Sequence, residues 1–246
     1  MGDEALNARV ARWYSCSQCE QWYHGVVACA LGWACWKTYL GRPETDAARR
    51  NAMTQLGNGL SQADLHADAL SVQVAELSTL RRLGAQEEII LPVQSNLAVT
   101  YFVLRRDEQA LSMRRDVYFG SVRLFGDESE ETFVAVENYA LSLLTVRRFE
   151  EAKRLLRKTM PVARRVLGEN DRLTLKLRWS HARALYEDAS ATLGDLREAV
   201  AMIEDVVRIA RRVLGGQHPL LAQIERSLRI ARAALRARES PPRGSA

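Results

Sequence analysis

Arg211-Arg212-Val213-Leu214-Gly215-Gly216-Gln217-His218-Pro219 is the stretch that decides the fold. A helix-forming run closes on two Arg, a Leu and a Gly, the residue that most easily ends a helix with positive φ. A short polar linker follows and finishes on Pro, which suits the first turn of a new helix. The same close recurs upstream as Arg164-Arg165-Val166-Leu167-Gly168, Val122-Arg123-Leu124-Phe125-Gly126 and Arg81-Arg82-Leu83-Gly84. The four glycines stand 42, 42 and 47 residues apart. A fixed period of this length is the signature of stacked structural repeats.

Small residues repeat in step with the glycines. Ala98, Ala140 and Ala182 each lie 14 residues after the preceding Gly. A second small residue comes 12 later, as Ala69 after Gly57, Ala110 after Ala98 and Ala152 after Ala140. In the last repeat it is Ala199, displaced by five, and the segment 188–195 accounts for the longer turn. Leu60, Tyr101, Leu143 and Leu185 sit three after the first small residue, and Met113, Leu155 and Met202 three after the second. Each pair shares a helical face. The pattern predicts two helices per unit, A and B, whose apolar stripes are buried only when neighbours stack. The closing Gly is expected to take the left-handed conformation. The paired Arg before it suit the negative end of the helix dipole, at about 0.3–1 kcal/mol each when exposed. Polar residues in the linkers 85–88, 127–132, 169–172 and 216–219 are expected to cap the incoming helices.

Composition agrees with a folded helical chain. The 246 residues are 47% hydrophobic and 26% charged, with 6 Pro and 14 Gly, which excludes collagen-like and linker-like chains. Thirty-five Lys+Arg against 30 Asp+Glu give +5, too mild for a basic nucleic-acid tail. The longest uncharged run, Gln21 to Trp36, is shorter than the roughly 20 residues a membrane helix needs, so no membrane segment is expected. Four Cys are too few for a disulfide scaffold and point to a reduced, cytoplasmic setting.

Leu214-Gly215-Gly216-Gln217-His218-Pro219 resembles the Leu-Gly-x-x-His-Pro linker of kinesin light chain-like tetratricopeptide repeats. Residues 126–132 and 168–174 resemble it in degraded form. Ser95-Asn96-Leu97-Ala98 and Glu137-Asn138-Tyr139-Ala140 resemble the family's start of helix A, and Phe149-Glu150-Glu151-Ala152 its start of helix B. The resemblance implies an all-α fold, an α-solenoid of tetratricopeptide helical hairpins in a right-handed superhelix. It implies repeats at about 44–84, 85–126, 127–168 and 169–215, then a capping helix at 220–238. Residues 1–43 would form a degenerate N-terminal capping helix pair, and 239–246 a disordered tail.

The resemblance further implies a non-catalytic scaffold that binds a peptide or protein partner in a concave groove lined by the A helices. Mapped by position, that groove would hold Gln55, Asn58, Ser95, Asn96, Phe102, Glu137, Asn138, Leu144, Trp179, Ser180, Arg183 and Tyr186. Asn and Gln amides both donate and accept, so they can pair with an extended peptide backbone. Asn96 and Asn138 can equally pair with neighbouring helices. Kinesin light chains bind their motor heavy chain through an N-terminal heptad coiled coil. Residues 1–50 show no heptads, so kinesin heavy chain is not an expected partner. Arg183 and Lys176 are too few for a clamp on a C-terminal carboxylate.

Residues 3–20 and 22–40 read as two helices. Trp22, Tyr23, Val26, Val27, Ala30, Trp33 and Trp36 are expected to form the apolar face of the second. Cys16-x-x-Cys19 has the spacing of half a zinc site. The other half is missing, because Cys29 and Cys35, six apart, fall about 120° off one helical face. The preferred reading therefore has no metal, no cofactor and no enzyme, since nucleophile-elbow, P-loop and zinc-protease motifs are absent and Gly57-Asn58-Gly59 reads as close packing. The alternative is a zinc- or nucleic-acid-binding module fused to a structural solenoid, with Cys16 and Cys19 as zinc ligands.

Overall fold

A computed structural model describes residues 12–16 and 18–240 of the chain. Ten helices are seen among them: α1 (Gly25–Tyr39), α2 (Ala47–Gln62), α3 (His66–Arg82), α4 (Glu87–Val103), α5 (Asp107–Phe125), α6 (Glu130–Thr145), α7 (Phe149–Leu167), α8 (Arg172–Tyr186), α9 (Leu193–Leu214) and α10 (Pro219–Glu239). The chain divides into two compact units at Gly120/Ser121, within α5.

In the first unit α1 packs on α2, α2 on α3 and α3 on α4, and α2 also reaches α4. In the second, α6 to α10 pack in chain order, and α6 reaches α8 and α8 reaches α10. Contact between every second helix is what stacked hairpins require, since each A helix must cover the apolar stripe of the next. The alanines read from the sequence are where the helices meet. Ala69, Ala98, Ala110, Ala140, Ala152, Ala182 and Ala199 are all fully buried. Leu60, Leu143 and Leu185 are buried beside them, whereas Tyr101 is half-buried.

The linkers are built from caps. Asp46 accepts from the N–H groups of Ala48 (2.7 Å) and Arg49 (3.3 Å), Ser129 from Thr132 (3.1 Å), and Asp171 from Leu173 (2.7 Å) and Thr174 (3.2 Å). Each satisfies donors that an open helix end leaves orphaned. His218 does the same, its Nδ1 accepting from Leu220 N–H at 3.1 Å while Pro219 starts the helix. Gly168 (φ 92, ψ 164) and Gly215 (φ 83, ψ 157) have positive φ as expected, but their ψ is extended and not left-handed helical. That region is essentially closed to side chains, so glycine is demanded more strictly than by a left-handed cap. The paired Arg do more than meet the dipole. Arg82 bonds Glu44, Arg165 bonds Glu128 at 2.6 Å and Arg212 bonds Asn170 at 2.8 Å, each reaching back to the preceding linker.

The turn inside each hairpin is a second repeating device. Asp64 (φ 61), Arg105 (φ 57) and Arg147 (φ 61) are left-handed, and the following N–H bonds back across the turn: Leu65 to Leu60 O (3.0 Å), Arg106 to Tyr101 O (2.9 Å) and Arg148 to Leu143 O (2.8 Å). The last hairpin replaces this turn by the insertion at 187–192, where Asp188 accepts from Ser190 N–H (2.9 Å) and a capping box joins Thr192 and Asp195.

The N-terminal region departs from the sequence reading. Residues 12–16 and 18–24 are turns around an isolated antiparallel bridge between Ser15 and Trp22, so no helix runs through residue 20, and residues 3–11 lie outside the described residues. The second helix starts at Gly25. Its buried face is Gly32, Cys35 and Tyr39, while Trp22, Val26, Val27 and Trp33 stand exposed. Small residues decide this orientation. A Cβ on Gly59 would lie 2.5 Å from the Ala28 carbonyl oxygen, and one on Gly32 2.8 Å from that of Gln55. Backbone meets backbone there, which gives Gly57-Asn58-Gly59 its close-packing role. The tail expected at 239–246 falls almost wholly outside the described residues; Glu239 ends α10.

Three polar features sit inside this framework. Glu76 on α3 is 4% exposed and bonded to Thr54; burial pushes its carboxyl up to about 7 against the opposing pull of that bond. His181 on α8 is 2% exposed with neither ring nitrogen partnered among the described residues. Burial first, then the Arg157 and Lys153 charges on α7, hold it down at about 4. Lys153 itself is largely buried and pairs with Asp188 at 3.1 Å.

Candidate functional site

Eight of the twelve expected groove residues line two clefts, one in each unit, while Ser95, Phe102, Leu144 and Tyr186 line neither. In the first unit Gln55 and Asn58 of α2 and Asn96 of α4 line a cavity of about 310 Å³, together with Gln73, Thr100 and the aromatic residues Trp13, Tyr14, Trp22 and Tyr23. The amides are partly spent on one another: Asn96 Nδ2 donates to Asn58 Oδ1 at 3.1 Å, and Thr100 donates to Gln73 Oε1 at 2.7 Å. Asn96 thus makes the interhelical pair that competes with peptide contact. The Tyr14 and Trp22 rings stack at 5.0 Å between centroids. Ser95 is half-buried on α4 and outside this lining, and Phe102 lies under the Arg114 guanidinium at 4.8 Å.

In the second unit Glu137 and Asn138 of α6 and Trp179, Ser180 and Arg183 of α8 line a cleft of about 620 Å³. The far wall is the start of α10, with His218, Pro219, Leu220 and Gln223. Trp179 is anchored: its Nε1 donates to Ser227 Oγ at 3.0 Å, and its ring packs against the core of α8–α10. Arg183 lies 5.8 Å from the Trp179 ring centroid and is bonded to Glu187 at 2.7 Å. Ser180 lines the cleft with only 2% exposure. Leu144 and Tyr186 are buried at 3% and 8%, and Tyr186 belongs to the α8–α10 core.

Sequence reasoning missed Arg172. With Lys176 and Arg183 it gives the second cleft three cations on one helix, against Glu137 opposite. Arg172 and Lys176 have no ion-pair partner among the described residues, unlike the arginines of the α9–α10 surface. There Arg208 pairs with Asp205, Arg211 with Glu225 (2.6 Å) and Arg232 with Glu204 (2.7 Å). The missed signal was helical spacing. Positions 172, 176, 179 and 183 rise at i, i+4, i+7 and i+11 on one face.

All four cysteines are free thiols: Cys19 is exposed, Cys16 and Cys29 are half-buried, and Cys35 is buried, where burial pushes its thiol up to about 11. Among the described residues no three His, Cys, Asp or Glu side chains converge as metal ligands, and no helix is long and apolar enough to cross a membrane.

A tetratricopeptide repeat family model matches residues 137–172 and 188–220. No curated protein matches the chain. A Podosopora anserina kinesin light chain with nearly identical TPR-like repeats superposes with a TM-score of 0.62 at 18% identity, covering 76% of this chain and 85% of that one. BtubC (BKLC) from P. vanneervenii gives 0.59 at 16% identity over 100% of this chain and 97% of that one. The apo form of RapI gives 0.56 at 11% identity, over 85% and 74%. At these identities the likeness is one of fold: all-α, an α-solenoid of tetratricopeptide hairpins. The chain thus carries tetratricopeptide repeats at residues 137–172 and 188–220 and is similar in fold to kinesin light chain-like repeat structures.

Proposed function

We propose that the protein is a non-catalytic scaffold that binds an extended segment of a protein partner along its A helices. The observation that carries this reading is the second cleft, where Trp179 is held ready beside Arg172, Lys176 and Arg183. An anchored aromatic offers apolar contact with little ordering cost, and Arg172 and Lys176, which have no ion-pair partner among the described residues, select a segment carrying carboxylates. Gln55, Asn58, Ser95, Asn96 and Phe102 in the first unit, with Glu137, Asn138 and Ser180 in the second, serve as backbone and rim contacts. Leu144 and Tyr186 support the walls from the core. The paired arginines of α9 and α10 argue against nucleic acid as the partner, and the free cysteines fit a reducing cytoplasm.

The same reading takes 44–84, 85–126, 127–168 and 169–215 as the repeats, 220–238 as the closing helix and the region before 44 as a cap. A displayed random-peptide library panned against the whole chain tests it. Enriched sequences should be acidic, and Arg172→Glu/Lys176→Glu should abolish their enrichment. Unchanged enrichment with that variant and with Trp179→Ala removes the cleft from the function.

A further inference from the structure

The hairpin that walls the first cleft carries a pair of thiols at its tip. Tyr23 N–H donates to Tyr14 O (2.9 Å), Cys16 N–H to Gln21 O (2.9 Å) and Glu20 N–H to Cys16 O (2.8 Å), with Ser15 opposite Trp22. Glu20 takes positive φ (57°) to close the loop. This register closes a tight loop with Cys16 at its base and Cys19 on it, near enough for the Gln18 and Cys19 N–H groups and the Cys19 thiol to bear on the Cys16 sulfur. Cys19 is exposed, Cys16 is half-buried, and both are free thiols. Zinc needs four ligands, and among the described residues no third one converges here.

We infer that Cys16 and Cys19 form a reversible dithiol–disulfide pair, closed by exchange with a low-molecular-weight disulfide such as oxidised glutathione. The Cys16 thiolate attacks one sulfur of the small disulfide, whose other sulfur leaves as a thiolate. Cys19, deprotonated, then attacks the Cys16 sulfur of the mixed disulfide and expels the second small thiol. One protein S–S bond forms, one small-molecule S–S bond is lost, and two electrons and two protons pass to the two released thiols. Cys16 is the attacking member. The N–H groups of Gln18 and Cys19, then the Cys19 thiol, hold its pKa below the usual thiol range, which raises its thiolate fraction. Cys35, buried and pushed the other way, takes no part.

Closure fixes the tip of the hairpin whose flanks, Trp13, Tyr14, Trp22 and Tyr23, line the first cleft. Only this coupling rests on the peptide-binding reading; the disulfide stands without it.

The whole chain, equilibrated in oxidised and reduced glutathione, trapped by alkylation and mapped by peptide mass, tests the pair. The expected product is a Cys16–Cys19 disulfide with Cys35 still a thiol. Cys19→Ser should stop at a glutathione adduct on Cys16, and Cys16→Ser should slow the reaction at least about tenfold. Separate adducts on both cysteines, no reaction at either, or a zinc ion held by the pair in native mass spectrometry each overturn the proposal. Panning the same peptide library on reduced and oxidised chain separates the two readings. Closure without a change in enrichment refutes the coupling alone, and a chain that enriches no peptide in either state refutes the groove alone.

Discussion

His181 offers a measurement in which one buried ring controls the acid response of the second unit. The folded chain holds its pKa at about 4 against 6.5 for a free histidine. Between those values the unfolded chain binds a proton that the folded chain refuses, so stability falls as pH drops below 6.5. Each full pH unit inside the window costs about 1.4 kcal/mol, and integration from pH 7 to pH 5 comes to about 2 kcal/mol. Stopping at pH 5 keeps the carboxylates of Asp188 and Asp205, both held below their ordinary range, out of the transition. Trp179 is the one tryptophan in residues 121–246, so 5-fluorotryptophan labelling and 19F NMR report urea unfolding of this unit by itself. His181→Leu removes the proton site and fills the same volume. The wild type should lose about 2 kcal/mol more than the variant between pH 7 and pH 5. Equal losses in the two proteins would show that His181 is charged in the folded state and refute the reasoning.

Three further outcomes follow from the same packing. Glu76, raised to about 7, has the opposite sign: its contribution is full below pH 4.5 and fades as pH rises through 7, so wild type should lose about 2 kcal/mol from pH 5 to pH 8 that Glu76→Gln keeps, read by hydrogen exchange in α2 and α3. Gly59→Ala gains helix propensity but drives a methyl into the Ala28 carbonyl; the clash wins, and the urea midpoint should fall by the equivalent of about 1–3 kcal/mol, with a rise counting against backbone contact between α1 and α2. Asp188→Asn leaves Lys153 short of its buried partner and should cost about 2 kcal/mol in the Trp179-monitored transition, and no change would mean that Glu150 suffices.

Much of the hairpin framework was legible because it rests on residues with few substitutes. Gly168 and Gly215 occupy backbone conformations that exclude side chains, and Ala98, Ala140 and Ala182 sit where helices touch, so both recur visibly. The turn inside each hairpin was not legible. Its left-handed residue is Asp64, Arg105 or Arg147, each tolerated at modest cost, so no common residue type marks the position. The N-terminal region misled for a different reason. Its aromatic spacing reads as a buried stripe, but close glycine contact at Gly32 and Gly59 outweighs it and turns Trp33 outward. For the clefts, Asn58, Asn96, Trp179 and Arg183, mapped through the resemblance, line cavities in the structure, with no bound partner to show a role. Register could not tell that Leu144 and Tyr186 point inward, because burial depends on how neighbouring helices rotate.

The five-residue displacement before Ala199 separates two kinds of length in this architecture. Between hairpins, Arg82, Arg165 and Arg212 tie each closing turn to the linker before it, so an added residue there would pull several bonds apart at once. Within the last hairpin, Ala189 and Ser190 are exposed while Asp188 and Thr192 secure the ends of the loop. A reporter epitope or a small domain spliced between Ala189 and Ser190 gives up the local Asp188–Ser190 bond, while the Thr192–Asp195 capping box still starts α9 and both splice residues are exposed. That makes this loop a grafting port through which cargo can be added to the array while its period stays intact.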